Sequence, residues 1–158
     1  MAKENQPAQE ASGVHLWLVL WKAARSLEAH ATCSIEAAGM CGSDFGVMEA
    51  LLHKGPLSVS VLGAKVLLSS GSITTAVDRL ERRGLVERGG DASDRRARIV
   101  HLTAAGRKLI RRLFKEHERA MEKAVSALGM GERAVLMGLL RKLGRGAEEI
   151  RALETERK

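Results

Sequence analysis

The sequence is poor in aromatic residues, cysteine and proline, and it has no long apolar run. Its two Trp and two Phe lie outside the most basic part of the chain, and Tyr is absent, which disfavours a stacking platform for single-stranded nucleic acid. Two cysteines are too few for a disulfide framework. No segment reaches the roughly 18 uncharged apolar residues of a membrane span, and residues 1–13 lack the apolar stretch of a signal peptide. We therefore expect a cytoplasmic protein with a flexible tail at 1–13 and no membrane contact.

Motifs for catalysis, cofactor binding and metal binding are also missing from the sequence. It has no Gly-rich loop that would cradle a phosphate and no coherent set of nucleophile and base. Its His, Cys and Asp residues do not recur at the spacing of a metal site. We predict that the protein is not an enzyme and needs no cofactor or metal.

Positive charge is present, and it is concentrated. The net charge is +7, and residues 78–112 hold eleven Lys or Arg and five Asp or Glu, a net of +6. A basic stretch of this kind indicates a polyanionic partner. Because the stretch contains no aromatic residue, it favours the backbone of double-stranded DNA.

Apolar periodicity and capping residues predict a mainly α-helical fold with a small two- to three-stranded wing, of the α+β class. Helices are predicted at 14–38, 44–54, 59–68, 70–83, 104–127 and 132–153. Their predicted N-caps are Ser43, Ser58, Ser69 and Thr103, and Gly84 suits the left-handed position after a helix. Strands at 85–88 and 97–102 form the hairpin of the wing. Two short helices, a turn and a polar-faced helix form a helix-turn-helix.

The apolar residues of the terminal helices outnumber those that a winged domain of this length can cover. We therefore predict a winged helix-turn-helix DNA-binding domain at 43–103 and a helical dimerisation region at 14–42 and 104–154, which packs between two copies of the chain.

Hydroxyl and arginine side chains dominate the predicted recognition helix and wing. Hydroxyls fit a major groove, where they bond phosphates or base edges, and a capped helix N-terminus suits phosphate. Acidic residues in the wing tip hold arginines in a fixed pose for a narrow minor groove; the alternative is an ordinary solvated loop. The candidate DNA contacts are Ser69, Ser70, Ser72, Thr74, Thr75, Arg79, Arg95, Arg96 and Arg98, and the wing salt bridge would use Asp91 and Asp94.

Three motifs in this order resemble the MarR family of winged-helix transcription regulators. They are SSGSITTAVDRLERRGLVER at 69–88, DASDRR at 91–96 and HLTAAGRKLI at 101–110. The resemblance covers about residues 14–150. It implies a homodimer joined by its terminal helices on a pseudo-palindromic operator, with recognition helices in successive major grooves and wings in the flanking minor grooves.

Residues 44–84 look most like the subgroup of this family that represses genes for quinone and hydroquinone detoxification. The resemblance thus implies a repressor that a small aromatic, phenolic or quinone-like ligand releases from its operator. Such ligands bind between the dimer layer and the winged domain. The candidate pocket residues are His15, Trp17, Trp21, Met48 and His53. The alternative is that both tryptophans pack in the core or the dimer interface and that the histidines are ordinary surface or core residues.

Two other regulatory schemes remain open from the sequence. Some relatives sense oxidants through a reactive cysteine, which makes Cys33 and Cys41 candidate redox residues, although free cysteines are more often small buried apolar residues. A ligand-independent architectural DNA-binding protein is the other alternative, and it would not prefer its own promoter over random DNA.

Overall fold

The computed structural model describes residues 12–90 and 98–157. The elements are α1 (Gly13–Ala37), α2 (Gly42–Lys54), β1 (Leu57–Ser58), α3 (Val59–Lys65), α4 (Ser70–Arg82), β2 (Val86–Gly90), β3 (Arg98–Leu102), α5 (Ala104–Ala124) and α6 (Met130–Glu156). The predicted fold class, mainly helical with a small sheet, is confirmed. The chain divides into two compact units, one ending at Met121 and the other beginning at Glu122.

The sheet has three antiparallel strands in the order β1–β3–β2. Strands β2 and β3 form the predicted hairpin, in a register that pairs Val86 with Leu102 and Gly90 with Arg98. The short strand β1 adds to the other edge of β3, where Leu57 pairs with Val100. Because β1 leads directly into α3, this pairing ties the start of the helix-turn-helix to the wing.

The described buried apolar core lies within residues 35–113, and it packs α2 and the helix-turn-helix against the sheet and the first turns of α5. The sequence of α4 forms an amphipathic helix, because its apolar residues recur at helical spacing and are all buried. They are Ile73, Ala76, Val77 and Leu80.

In the described ranges no single helix has the length and hydropathy of a membrane span. Helices α3 and α4 reach that length and hydropathy only when they are taken together, and they are bent by 111° where they meet.

Local capping positions the helix-turn-helix as the sequence predicted. The Ser58 hydroxyl accepts from the Val61 N–H at 3.4 Å, and the Ser69 hydroxyl accepts from the Ser72 N–H at 3.3 Å. Gly84 takes a φ of +66° directly after α4, the left-handed position at which glycine carries no Cβ penalty. These caps are confirmed.

Several predicted boundaries were wrong, and α6 extends beyond the predicted 132–153 at both ends. Helix α2 begins at Gly42 with Cys41 at its N-cap position, so Ser43 lies inside the first turn and is not the cap. Helix α3 ends at Lys65 rather than at residue 68, because Leu67 adopts a left-handed φ of 55°. Helix α5 ends at Ala124 rather than near 127.

The helices α1 and α6 each expose an apolar surface. On α1, Trp17 is 60% and Trp21 44% exposed. In α6, all of which is described, no residue is buried. Its large exposed apolar side chains are Met130, Val135, Leu136, Met137, Leu139, Leu140, Leu143, Ile150 and Leu153.

Candidate nucleic-acid interface

The face of α4 opposite its buried residues is lined by small hydroxyl side chains. Ser70, Ser72, Thr74 and Thr75 are all exposed on it, and Ser69 caps it. These five residues are the predicted groove-facing set of the recognition helix, and the structure brings them together on one surface. Their contacts with DNA stay a prediction.

Three of the five hydroxyl hydrogens on this face have defined partners. Thr74 Oγ1 donates to the Ser70 carbonyl at 2.9 Å, and Thr75 Oγ1 donates to the Gly71 carbonyl at 3.0 Å. Ser69 Oγ donates to Ser72 Oγ at 2.9 Å. These three hydroxyls are therefore oriented by the helix and its cap before any partner is bound.

Arg79, which the sequence groups with the DNA contacts, also bonds residues at the start of α2, and its contact with DNA stays a prediction. Its Nε donates to both carboxylate oxygens of Asp44, at 3.0 and 2.9 Å, and its Nη2 donates to Asp44 Oδ1 at 2.6 Å. The same Nη2 donates to Ser43 Oγ at 3.1 Å and to Cys41 Sγ at 3.2 Å. The hydrogen bonds to the Asp44 carboxylate raise the pKa of Arg79 further above its ordinary value. Arg79 thus fastens the recognition helix to the start of α2.

Asp44 is the residue on which this junction depends, and sequence reasoning missed it. Its side chain is 1% exposed, against 37% for Arg79, and Arg83 lies 3.5 Å away as a second cation. The signal in the sequence was an acidic residue in the first turn of an otherwise apolar helix. That position is also common for an acid that only complements the helix dipole, so the pattern did not reveal an ion pair.

Arg88 of β2 holds the other side of the recognition helix. Its guanidinium pairs with Asp78 and Glu81 of α4, and its backbone N–H donates to Glu81 Oε1 at 3.1 Å. Partial burial acts to lower the pKa of Arg88, but the two carboxylates outweigh it and raise the pKa above the ordinary value. The base of the wing is therefore held against α4 by ion pairs, in addition to the short covalent link between them.

The junction between the wing and α5 explains the Leu-Thr-x-x-Gly pattern at 102–106. Thr103 Oγ1 donates to the Gly84 carbonyl at 2.8 Å and accepts from the Gly106 N–H at 3.0 Å. A Cβ on Gly106 would lie 1.9 Å from the Leu85 carbonyl oxygen. Glycine is required here because the helix backbone passes directly against the start of the wing.

The tip of the wing is outside the described residues. Asp91, Asp94, Arg95 and Arg96 all fall there, so the predicted salt bridge and minor-groove contacts stay predictions. Arg98 is the first residue of β3, and its backbone pairs with Gly90.

The five candidate pocket residues differ in how far the structure buries them, and their joint contact with a ligand stays a prediction. His15, Trp17 and Trp21 are exposed on α1. Met48 lies on α2 and is fully buried in the apolar core of the protein. His53 is exposed and makes an edge-to-face contact with Phe114 of α5, with ring centroids 4.7 Å apart. A cavity of about 330 Å³ beside it is lined by Gly46, Glu49, Ala50, His53, Lys54, Lys65 and Val66.

The two cysteines are exposed rather than buried. Cys33 lies on α1, whereas Cys41 contacts Arg79 and lies 3.4 Å from Ser43 Oγ. Within the described ranges, no three His, Cys, Asp or Glu side chains stand close enough to hold a metal ion.

Comparison with known proteins identifies the family of this winged helix-turn-helix. The model of the MarR family matches residues 38–97. The chain is 34% identical over 134 residues to the HTH-type transcriptional regulator MhqR of Bacillus subtilis (strain 168), which covers 85% of this chain and 92% of that protein. The chain belongs to the MarR family. It is a DNA-binding transcriptional regulator and not an enzyme, as its sequence predicted.

Solved structures of MarR-family proteins share this architecture. Sco3205 of Streptomyces coelicolor, solved in complex with DNA, superposes with a TM-score of 0.76 at 27% identity, over 87% of this chain and 92% of that one. BpsR of Bordetella bronchiseptica, whose DNA binding is regulated by 6-hydroxynicotinic acid, gives a TM-score of 0.72 at 25% identity, over 85% and 94%.

Proposed function

We propose that this MarR-family regulator is a homodimeric repressor that inserts α4 into the major groove of a pseudo-palindromic operator. The observation that carries the proposal is the exposed hydroxyl face of α4, held by Arg79–Asp44 on one side and by Arg88 on the other. A helix fixed at both sides presents its side chains in one pose, which direct reading of base edges requires. The solved DNA complex of Sco3205 supports the proposal.

The wing supplies affinity through its arginines. We expect Arg95→Ala or Arg96→Ala to weaken binding to the operator and to make the dependence of affinity on salt shallower, because a cation near phosphate is lost. Asp94→Ala should reproduce part of this loss by releasing the arginine. The control is Arg151→Ala, which removes the same charge from α6. Unchanged affinity and salt dependence in both wing variants would refute the assignment.

Dimerisation is assigned to the terminal helices, at 14–42 and 104–154. Each of α1 and α6 exposes large apolar side chains over several turns, and contiguous apolar surface of this kind marks an interaction site. Leu140→Glu should place a charge in the interface and yield a monomer in light scattering, whereas Glu148→Gln on the same helix should leave the dimer intact. A dimer that persists in Leu140→Glu, and in a second variant Leu143→Glu, would contradict this assignment.

The effector is proposed to be an aromatic anion or quinone-like compound that binds near α1, α2 and α5. Support comes from the exposed Trp17 and Trp21, one turn apart on α1, and from the regulation of BpsR by an aromatic acid. The Arg25 guanidinium lies 5.5 Å from the centroid of the Trp21 ring. It can therefore pair with the carboxylate or phenolate of an aromatic ligand that binds beside Trp21. Met48 is fully buried in the core, and its part in the ligand site stays a prediction.

A panel of phenols, aromatic acids and quinones tests the effector. Ligand binding should change tryptophan fluorescence and lower the affinity for DNA, and Trp17→Ala or Trp21→Ala should blunt the response without abolishing DNA binding. Release requires an affinity difference of a few kcal/mol between the two arrangements of the protein. If no member of the panel changes fluorescence or DNA affinity, the ligand proposal fails.

A thiol sensor is the second candidate, and one observation favours Cys41 over Cys33 for it. Cys41 is exposed, and its Sγ accepts from Arg79 Nη2, so oxidation of the sulfur would alter a contact of the recognition helix. Peroxide should then release DNA from the wild type and from Cys33→Ser, but not from Cys41→Ser. Equal responses in all three proteins would exclude this scheme.

A further inference from the structure

The groove-facing surface of α4 is divided into two chemically different zones. Near its N-terminus, Ser70 and Ser72 carry hydroxyls whose own hydrogens are not donated within the described structure, and the first backbone N–H groups of a helix lie at this same end. One turn further, Thr74 and Thr75 have donated their only hydroxyl hydrogens to the carbonyls of Ser70 and Gly71. The second zone therefore offers oxygen acceptors and γ-methyl groups, but no hydrogen-bond donor.

Asp78 extends this second zone along the same face. It lies four residues after Thr74 and three after Thr75, which is one helical turn, and its side chain is 50% exposed. A carboxylate accepts hydrogen bonds and has none to give. We name Thr74, Thr75 and Asp78 the acceptor patch.

We propose that the acceptor patch reads base edges, namely the amino groups of adenine or cytosine and the methyl group of thymine, and does not contact phosphate. The inference rests on the proposed placement of α4 in the major groove. Phosphate oxygens are acceptors with negative charge, and neither the two threonine hydroxyls nor the Asp78 carboxylate has a hydrogen to offer them. Adenine N6 and cytosine N4 present N–H donors in the major groove, and thymine presents its C5-methyl.

Arg88 makes this arrangement compatible with DNA. Its guanidinium, 15% exposed at the base of the wing, pairs with both Asp78 and Glu81. The negative charge of Asp78 beside the bases is thus compensated by the Arg88 guanidinium. In this arrangement Arg88 lies on the wing side of α4 and does not face the groove. Phosphate contacts fall to the first zone, where hydroxyl and backbone donors coincide with the positive end of the helix.

The test starts from DNA sites that the full-length wild-type protein selects from a randomised duplex pool. Affinity is then measured for a selected duplex and for a random duplex of the same length. Thr74→Val and Thr75→Val remove the acceptor oxygen and keep a methyl, whereas Thr74→Ser and Thr75→Ser keep the hydroxyl and remove the methyl. Thr155→Val is the matched control, because Thr155 Oγ1 donates to the Arg151 carbonyl at 2.9 Å in the same geometry on α6.

We expect at least one of the four variants to bind the selected duplex about fourfold more weakly or worse, the factor that corresponds to one methyl group removed from water. Binding to the random duplex should not change, and Thr155→Val should match the wild type on both. If a methyl contact carries the reading, replacing thymine by deoxyuridine in the selected duplex should weaken the wild type and not weaken the corresponding Ser variant further.

Three outcomes would overturn the proposal. Equal losses on selected and random duplexes would assign the threonines to phosphate. Unchanged binding in all four variants would show that the acceptor patch does not reach the bases. If the wild type enriches no sequence at all, the proposed sequence-specific function fails together with the patch, which distinguishes that failure from the other two.

Discussion

Substitution of Arg79 by alanine separates a DNA contact from a structural junction. In the structure, Arg79 makes its side-chain hydrogen bonds with Asp44, Ser43 and Cys41. Removing it leaves the Asp44 carboxylate 1% exposed, with Arg83 at 3.5 Å as the remaining cation. Loss of one partner of a buried ion pair costs about 3–5 kcal/mol. Because Arg83 offsets part of this and Arg79 is itself 37% exposed, we take the low end and expect the free energy of unfolding to fall by about 3 kcal/mol.

Urea denaturation monitored by circular dichroism measures this change. With a slope of about 2 kcal/mol per molar urea, the midpoint should fall by about 1.5 M. Asp44→Asn keeps the shape of the side chain and should cost about 1–2 kcal/mol, and the double variant should be more stable than the sum of the two single losses predicts. Arg82→Ala is the control, because Arg82 is exposed on the same helix and, among the described residues, its side chain bonds only the Asp78 carbonyl.

Two results would contradict this role of Arg79. If Arg79→Ala unfolds within about 0.5 kcal/mol of the wild type, the ion pair does not stabilise the junction. If binding to random duplex also shows a salt dependence shallower by about one unit, Arg79 contacts phosphate, as the sequence alone had suggested.

Other substitutions test the packing around the site. Gly106→Ala should cost about 3 kcal/mol or more, because the new Cβ would overlap a backbone carbonyl and disturb the Thr103 cap, whereas Gly46→Ala, whose Cβ meets Val66 at 3.5 Å, should be close to neutral in thermal unfolding. Leu67→Gly should stabilise the protein by about 1 kcal/mol by relieving the left-handed backbone; a lower melting temperature would contradict this. Arg88→Met should weaken DNA binding at low salt more than at high salt, because it uncovers two carboxylates on α4; equal weakening at both salt concentrations would argue against that reason.

Much of the fold was predictable because its signals are local. Ser58, Ser69 and Gly84 each act within a few residues of their own position, so capping preferences alone identified them. The amphipathic pattern of α4 was equally local, and it separated the buried face from the hydroxyl face correctly.

The features that the sequence did not reveal depend on contacts between distant parts of the chain. Asp44 and Arg79 are 35 residues apart, and nothing in either segment shows that they meet. Met48 fits an apolar ligand pocket and a core equally well by residue type, and only the packed structure assigns it to the core. Leu67 has no propensity for a left-handed turn; the Leu68 N–H bonds the Gly63 carbonyl at 3.0 Å, and this closure of α3 fixes its conformation.

The hairpin of the wing is anchored at one end and closed by a defined pair at the other. Thr103 and Gly106 fix the base against Leu85, and Gly90 opposite Arg98 closes the described ladder. The register of the two strands is therefore set by pairs and contacts that all lie outside residues 91–97. The DNA contacts proposed for the wing and the contacts that hold its base thus belong to separate stretches of sequence, which evolution or engineering can vary independently.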